Sequence, residues 1–172
     1  MRQSSALAAA RIMLRILIPL HWIFGALILA LLATTFGPPA WTWRALSVGA
    51  VTGHENLIAG MRSIMVIGIL GVPIVHVVFS RLLSIVESVR LREPFSAENA
   101  GRLKTIAWSL LALELLHISV VAVAAAVSTR GVPLHISDDF SVSGWLAILL
   151  LFVLAQVFLA GTRMREDLEG TV

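Results

Sequence analysis

Glu114 and His117 stand three positions apart in "LALELLHISV", inside a stretch from Ile106 to Val127 that is otherwise apolar. On a helix that spacing sets both side chains on one face. A carboxyl and an imidazole so placed can hydrogen-bond across a helix interface, pass a proton or bind a ligand. Glu-x-x-His is also the ligand pair that di-iron proteins project into a bundle core. Such a centre needs several carboxylates from facing helices, and Glu114 is the one acidic residue inside an apolar run. His21 in "PLHWIF", His76 in "VPIVHVV" and Gln156 in "LAQVF" complete the set of imidazole and amide side chains in such runs.

Three readings of this polar cluster stay open. It can be an internal network in which Glu114 bonds an imidazole, Gln156 helps, and the helices are held in register. A proton or ligand site can be built on that network, since ionisable groups within a membrane are costly and default to functional suspicion. The third reading is a bis-histidine haem b, with His21 and either His76 or His117 as axial ligands. At ~1.5 Å rise per residue His21 lies ~8 Å inside its helix end and His76 and His117 ~10 to 17 Å inside theirs. All three imidazoles thus fall at compatible depths.

The elements that must position these residues are membrane helices. The chain has 172 residues, 58% of them hydrophobic and 13% charged, with a mean hydropathy of +0.93. A soluble domain carries about 25% charged residues. The composition therefore predicts a single all-α membrane domain over residues 1–172, an integral bundle of four transmembrane helices. The spans fall at about 14–36, 63–84, 105–128 and 141–162, each close to the ~20 apolar residues that a bilayer core requires. The first run exceeds the h-region of a cleaved signal peptide and reads as a retained helix. With no cysteine, disulfides and thiolate metal sites are excluded. No Gly-rich phosphate loop and no spaced Ser, His and Asp set occurs, so the expected protein is not an enzyme.

The net charge of +3 follows topology rather than nucleic acid, and no direct nucleic-acid binding is expected. Four spans put the N-terminus, the loop at 85–104 and the tail at 163–172 on one side. Ten of the thirteen Lys and Arg residues lie there or at the adjoining span ends, Arg15 and Arg81 being the two at span ends, against Arg44, Arg62 and Arg130 on the other. The positive-inside rule makes that side, and both termini, cytoplasmic. On the outer side, Trp41 and Trp43 suit an interface anchor. His54, Glu55, His135, Asp138 and Asp139 read as solvated loop residues, with Asp138, Asp139 or Ser141 available to cap the fourth helix.

The cytoplasmic side is the more distinctive. "SRLLSIVESVRLREPFSAENAGRLKTIAW" extends the second helix, breaks at Pro94 and restarts with Ser96 as N-cap and Glu98 near the positive helix end. The chain closes in "VFLAGTRMREDLEGTV". These two strings resemble the Pro-Phe, Asn, Arg-Leu entry to the third helix and the Phe-x-x-Gly-x-x-Leu, acidic, Thr-Val terminus of the domain of unknown function 2975 family, small four-helix bacterial membrane proteins. Met164 stands where a leucine is usual. The matching positions are Pro94, Phe95, Asn99, Arg102, Leu103, Phe158, Gly161 and Thr171, and Glu166, Asp167 and Glu169 form the acidic run. The resemblance implies no activity. It implies a setting, because members are often encoded beside small helix-turn-helix regulators.

The expected function is a non-enzymatic regulatory or interaction protein. Its cytoplasmic surface, formed by Pro94, Phe95, Asn99, Arg102, Gly161, Arg165, Glu166 and Asp167, would bind a protein partner such as a transcriptional regulator. Arg92, Arg102 and Lys104 could also attract anionic lipid or the acidic tail. A plain structural role remains for each: Pro94 and Phe95 can end one helix and staple the next, Asn99 can bond the turn, and Gly161 can allow close packing. The alternative is an electron-transfer protein with haem b, since "LIPLHWIF" resembles the first-helix His-Trp of small bacterial membrane cytochromes b. On the leading reading no cofactor or metal is expected. The spacing of Gly68, Gly71 and Val75 would also permit close helix packing, within one chain or in a homo-oligomer.

Overall fold

The computed structural model describes the backbone of residues 2–37, 55–91, 96–128 and 142–169, and the side chains of 6–37, 56–91, 96–128 and 142–164. Four helices account for almost all of it: α1 Arg2–Thr34, α2 Glu55–Arg90, α3 Ala97–Val127 and α4 Val142–Glu169. No strand occurs among the described residues. The all-α class is as expected, and every helix is long and apolar enough to cross a membrane. No more than 11% of any apolar window is buried inside the protein. Helices this apolar all round, with Ile16, Phe24, Leu27, Leu149 and Val157 each more than half exposed, require a hydrocarbon surround.

The helices outrun the bilayer lengths read from hydropathy. α2 begins at Glu55, well before residue 63, and both α2 and α3 extend into the stretch read as the loop 85–104, leaving only residues 91–96 as the connection. The break falls where Pro94 disfavours helix for the residue before it. Ser96 then caps α3 as expected, its Oγ accepting from the backbone N–H of Asn99 at 3.2 Å. Glu98 in the first turn adds a favourable charge.

The residues group into two compact units. The first comprises Met1–Leu20, Ile74–Leu113 and Ser141–Val172; the second comprises His21–Pro73 and Glu114–Phe140. Two of the borders fall beside prolines within helices, Pro19 in α1 and Pro73 in α2. Each proline removes one rung of its helix ladder, leaving the carbonyl four residues back without its usual donor.

The first unit has its core on one row of α3: Asn99, Ala100, Leu103, Ile106 and Ala107 are all 7% exposed or less, joined by Val78 of α2 and by Ile148 and Ala155 of α4. The spacing of three and four is the helical repeat. Trp108 meets Phe152 edge to face at 5.4 Å, fastening α3 to α4.

In the second unit helices approach closely where a side chain is missing. A Cβ at Gly25 of α1 would lie 2.9 Å from Val72 Cγ2, and one at Gly60 of α2 would lie 2.6 Å from both methyls of Val127. Arg62 closes the end of α1. Its Nε donates to Thr35 Oγ1 at 3.0 Å, its Nη2 donates to the Thr35 carbonyl, and its guanidinium lies 4.5 Å from the Phe36 ring centre. Thr35 is 2% exposed, so this arginine satisfies acceptors that water does not reach.

Candidate functional site

The densest polar arrangement lies where α2 ends and α3 begins, within the first unit. Ser80, Ser84 and Ser88 recur every fourth residue on α2 and share one face. Ser84 and Ser88 turn their hydroxyls back to their own helix, donating to the carbonyls of Ser80 at 3.0 Å and Ile85 at 2.8 Å. Each still has an acceptor to offer, the Ser88 hydroxyl oxygen and the Ser84 backbone carbonyl, and α3 supplies the donors.

Asn99, fully buried at 0% exposure, donates through Nδ2 to Ser88 Oγ at 2.7 Å. Its Oδ1 accepts from Arg102 Nη1 at 2.8 Å, and the same Nη1 reaches the Ser84 carbonyl at 3.4 Å. Arg102 Nη2 donates to Glu98 Oε1 at 2.5 Å, one turn back on α3. Arg102 Nε is buried without a hydrogen bond. Asn99 and Arg102 therefore act as a clasp that ties the α2 end to the α3 start. Burial makes this clasp stringent, because a lost partner leaves a desolvated polar group behind.

A second fastening lies on the same unit. Glu87 of α2 stands 3.5 Å from Arg11 of α1 and 2.9 Å from Arg90, a turn further along its own helix. The Arg11 contact is an ion pair by distance without hydrogen-bond alignment, since Arg11 Nε is buried and unbonded. Both partners are about one-third exposed, so the pair orients more than it stabilises.

A family model described as "Protein of unknown function (DUF2975)" matches residues 42–172. The chain belongs to the DUF2975 family. The match covers α2, α3 and α4 and every position named above for the resemblance; α1, with His21, precedes it. No curated protein and no solved structure matches the chain. Of the DUF2975-like positions, Asn99 and Leu103 are buried, Arg102, Phe158 and Gly161 are half-buried, and Thr162 beside Gly161 is 8% exposed. Pro94, Phe95, Arg92 and Thr171 lie outside the described residues, as do the outer-loop residues His54, His135, Asp138, Asp139 and Ser141 and the side chains of Glu55, Arg165, Glu166, Asp167 and Glu169.

The intramembrane polar residues divide between the units: His21, Glu114 and His117 belong to the second, His76 and Gln156 to the first. His21 Nε2 donates to the Val72 carbonyl of α2 at 3.1 Å, which fixes the tautomer with the proton on Nε2. His76 Nε2 lies 3.3 Å from Ser80 Oγ, one turn along its own helix, extending the serine row into the apolar part of α2. Glu114 is half-buried, and His117 and Gln156 are exposed. Among the described residues none of these three has a hydrogen-bond or ion-pair partner.

These placements bear on haem. An axial histidine must present a nitrogen lone pair to iron, whereas His21 Nε2 carries the proton given to Val72. As placed, the imidazole does not fit that role through Nε2. Among the described residues no group of three or more His, Asp or Glu side chains converges as a metal site.

Sequence reasoning named Asn99 and Arg102, which the structure brings together. It missed Ser84, Ser88 and Glu87, and it counted Arg62 only as an outer charge. The fourfold serine spacing was the signal available for the first two. For Arg62 the signal was an arginine about two turns into a helix that follows another helix end.

Proposed function

We propose that this DUF2975 protein is a non-enzymatic regulatory or interaction protein of the bacterial inner membrane. Both termini are cytoplasmic, and the α2–α3 turn together with the C-terminal tail is presented to a cytoplasmic protein, such as a helix-turn-helix regulator. The observation that carries the reading is the buried Asn99–Ser88–Arg102–Ser84 clasp. Apolar helix packing alone would not call for a fully buried asparagine at a helix start, where the ordinary solution is a solvated cap. The clasp fixes the take-off of both helices on either side of Pro94 and Phe95. Helix ends held this way are preorganised, which lowers the ordering cost of binding beside them. The charge asymmetry supports the cytoplasmic placement.

The test is site-specific photo-crosslinking in living cells, from Phe95 and Asp167, with Ile118 on the lipid-exposed side of α3 as control. The expected result is one cytosolic protein joined to both cytoplasmic positions and not to 118, with the adduct lost when the chain is cut from Met164 onward. If neither position yields a cytosolic adduct, the reading fails. If the truncated chain inserts and keeps the adduct at Phe95, the tail is only a solvated helix end.

A further inference from the structure

We propose that the Glu114–His117 face of α3 is an interface with a second copy of this chain, in which Glu114 of each copy hydrogen-bonds His117 of the other inside the membrane. His117 sits within one residue of the midpoint of the apolar run Ile106–Val127. It is exposed, Glu114 is half-exposed, and among the described residues neither has a partner. Ionisable side chains at that depth almost always pair or face a protein interior.

The row itself argues for a covering helix rather than for lipid. Seven residues before and after His117, Leu110 is half-buried and Ala124 is 2% exposed, and further back Leu103 is buried. All share the heptad row. His117 is the exposed and polar position in a row whose other members are buried at Leu103 and Ala124 and half-buried at Leu110.

The occupant follows from the chemistry and the geometry of insertion. Two copies of one membrane protein insert the same way round, so a twofold axis along the membrane normal sets identical residues at identical depth. Glu114 and His117 differ by ~4.5 Å along the helix, within the combined reach of a glutamate and an imidazole. One symmetric contact therefore satisfies four orphaned groups, each carboxyl meeting the other copy's imidazole. An unrelated helix would need matching groups at that depth.

The chain has no cysteine, so single cysteines report proximity without background. Leu113→Cys and Val121→Cys lie on the His117 row; Ala122→Cys lies about 140° round the helix from His117 and Leu149→Cys on the exposed side of α4. In native membranes the first two should give a disulfide-linked dimer and the controls should not. In the Val121→Cys background, His117→Leu should lower the dimer fraction about tenfold, the scale of two interhelical hydrogen bonds. Exchanging the pair as Glu114→His with His117→Glu should restore it, which separates a lost contact from a lost fold. Equal cross-linking at 121 and 122, an unchanged dimer in His117→Leu, no rescue by the exchange, or a single-copy count by photobleaching would each overturn the proposal.

Discussion

Replacing Asn99 with alanine tests the clasp most directly. The side chain is 0% exposed, donates to Ser88 Oγ at 2.7 Å and accepts from Arg102 Nη1 at 2.8 Å. Alanine removes both. The neutral bond contributes about 1 kcal/mol and the charged one about 1.5 to 3 kcal/mol. Arg102 keeps Glu98 and the long contact to Ser84, so part of its loss is absorbed. The expected destabilisation is about 3 kcal/mol, a large share of the ~5 to 15 kcal/mol that holds a typical protein folded. Helix content followed against denaturing detergent in mixed micelles measures it. Asn99→Asp should fall between, because its carboxylate still accepts from Arg102 but cannot donate to Ser88. A double-mutant cycle of Asn99→Ala with Ser88→Ala should return a coupling of about 1 kcal/mol. If Asn99→Ala stays within about 0.5 kcal/mol of the parent chain, the range of an ordinary surface substitution, the clasp does not hold the hairpin.

Gly60→Ala should destabilise by about 1 to 3 kcal/mol, because its Cβ meets the stiff Val127 side chain. Gly68→Ala and Gly101→Ala, with open space at the added carbon, should be neutral or stabilising by up to about 1 kcal/mol in the same detergent titration. Arg62→Ala should cost about 1 to 3 kcal/mol by stripping Thr35 of donors, and Arg62→Lys should recover only part of it, which thermal melts would show. Glu87→Gln should change stability by less than about 1 kcal/mol, since its pairs with Arg11 and Arg90 are partly solvated. Reporters fused after Val172 and inserted within 92–95 should both read cytoplasmic and one near Pro133 external; an external C-terminus would sink the topology.

The parts of the fold that hydropathy encodes are the parts the sequence made legible. Four apolar runs gave four helices, and Pro94 with Ser96 marked the α2–α3 break and the cap. Helix length beyond the bilayer was legible in part: the continuation of α2 through Ile85–Arg90 was read from its amphipathic pattern, whereas Asn56–Arg62, next to the outer loop, carried no signal that the helix starts so early. The azimuth of each helix was illegible for a different reason. Where a helix is apolar on every side, period 3.6 carries no contrast between the face that packs and the face that meets lipid. Glu114 and His117 were legible as neighbours on one face; whether that face was covered was not. Small residues were ambiguous too. Gly25 and Gly60 mark close approach, whereas Gly68, singled out by spacing, faces open space.

Polar chemistry in this chain is divided by depth. Near the α2–α3 turn, Asn99 is matched within the chain by Ser88 and Arg102, although Arg102 Nε is left unbonded, and Arg62 matches the acceptors of Thr35 at the end of α1. At the middle of α3, Glu114 and His117 have no hydrogen-bond or ion-pair partner among the described residues. Lipid tails provide no hydrophobic drive to hold apolar helices together, so specificity in a membrane comes from close packing and from groups that must be bonded. The matched groups therefore fix the protomer, while the unmatched pair is free to direct assembly. A variant such as Asn99→Ala should loosen the hairpin without touching the pairing groups, and His117→Leu should weaken assembly while leaving the clasp intact. Effects of the two on stability and on dimer fraction should then be separable, as expected for sites that share no side-chain contact.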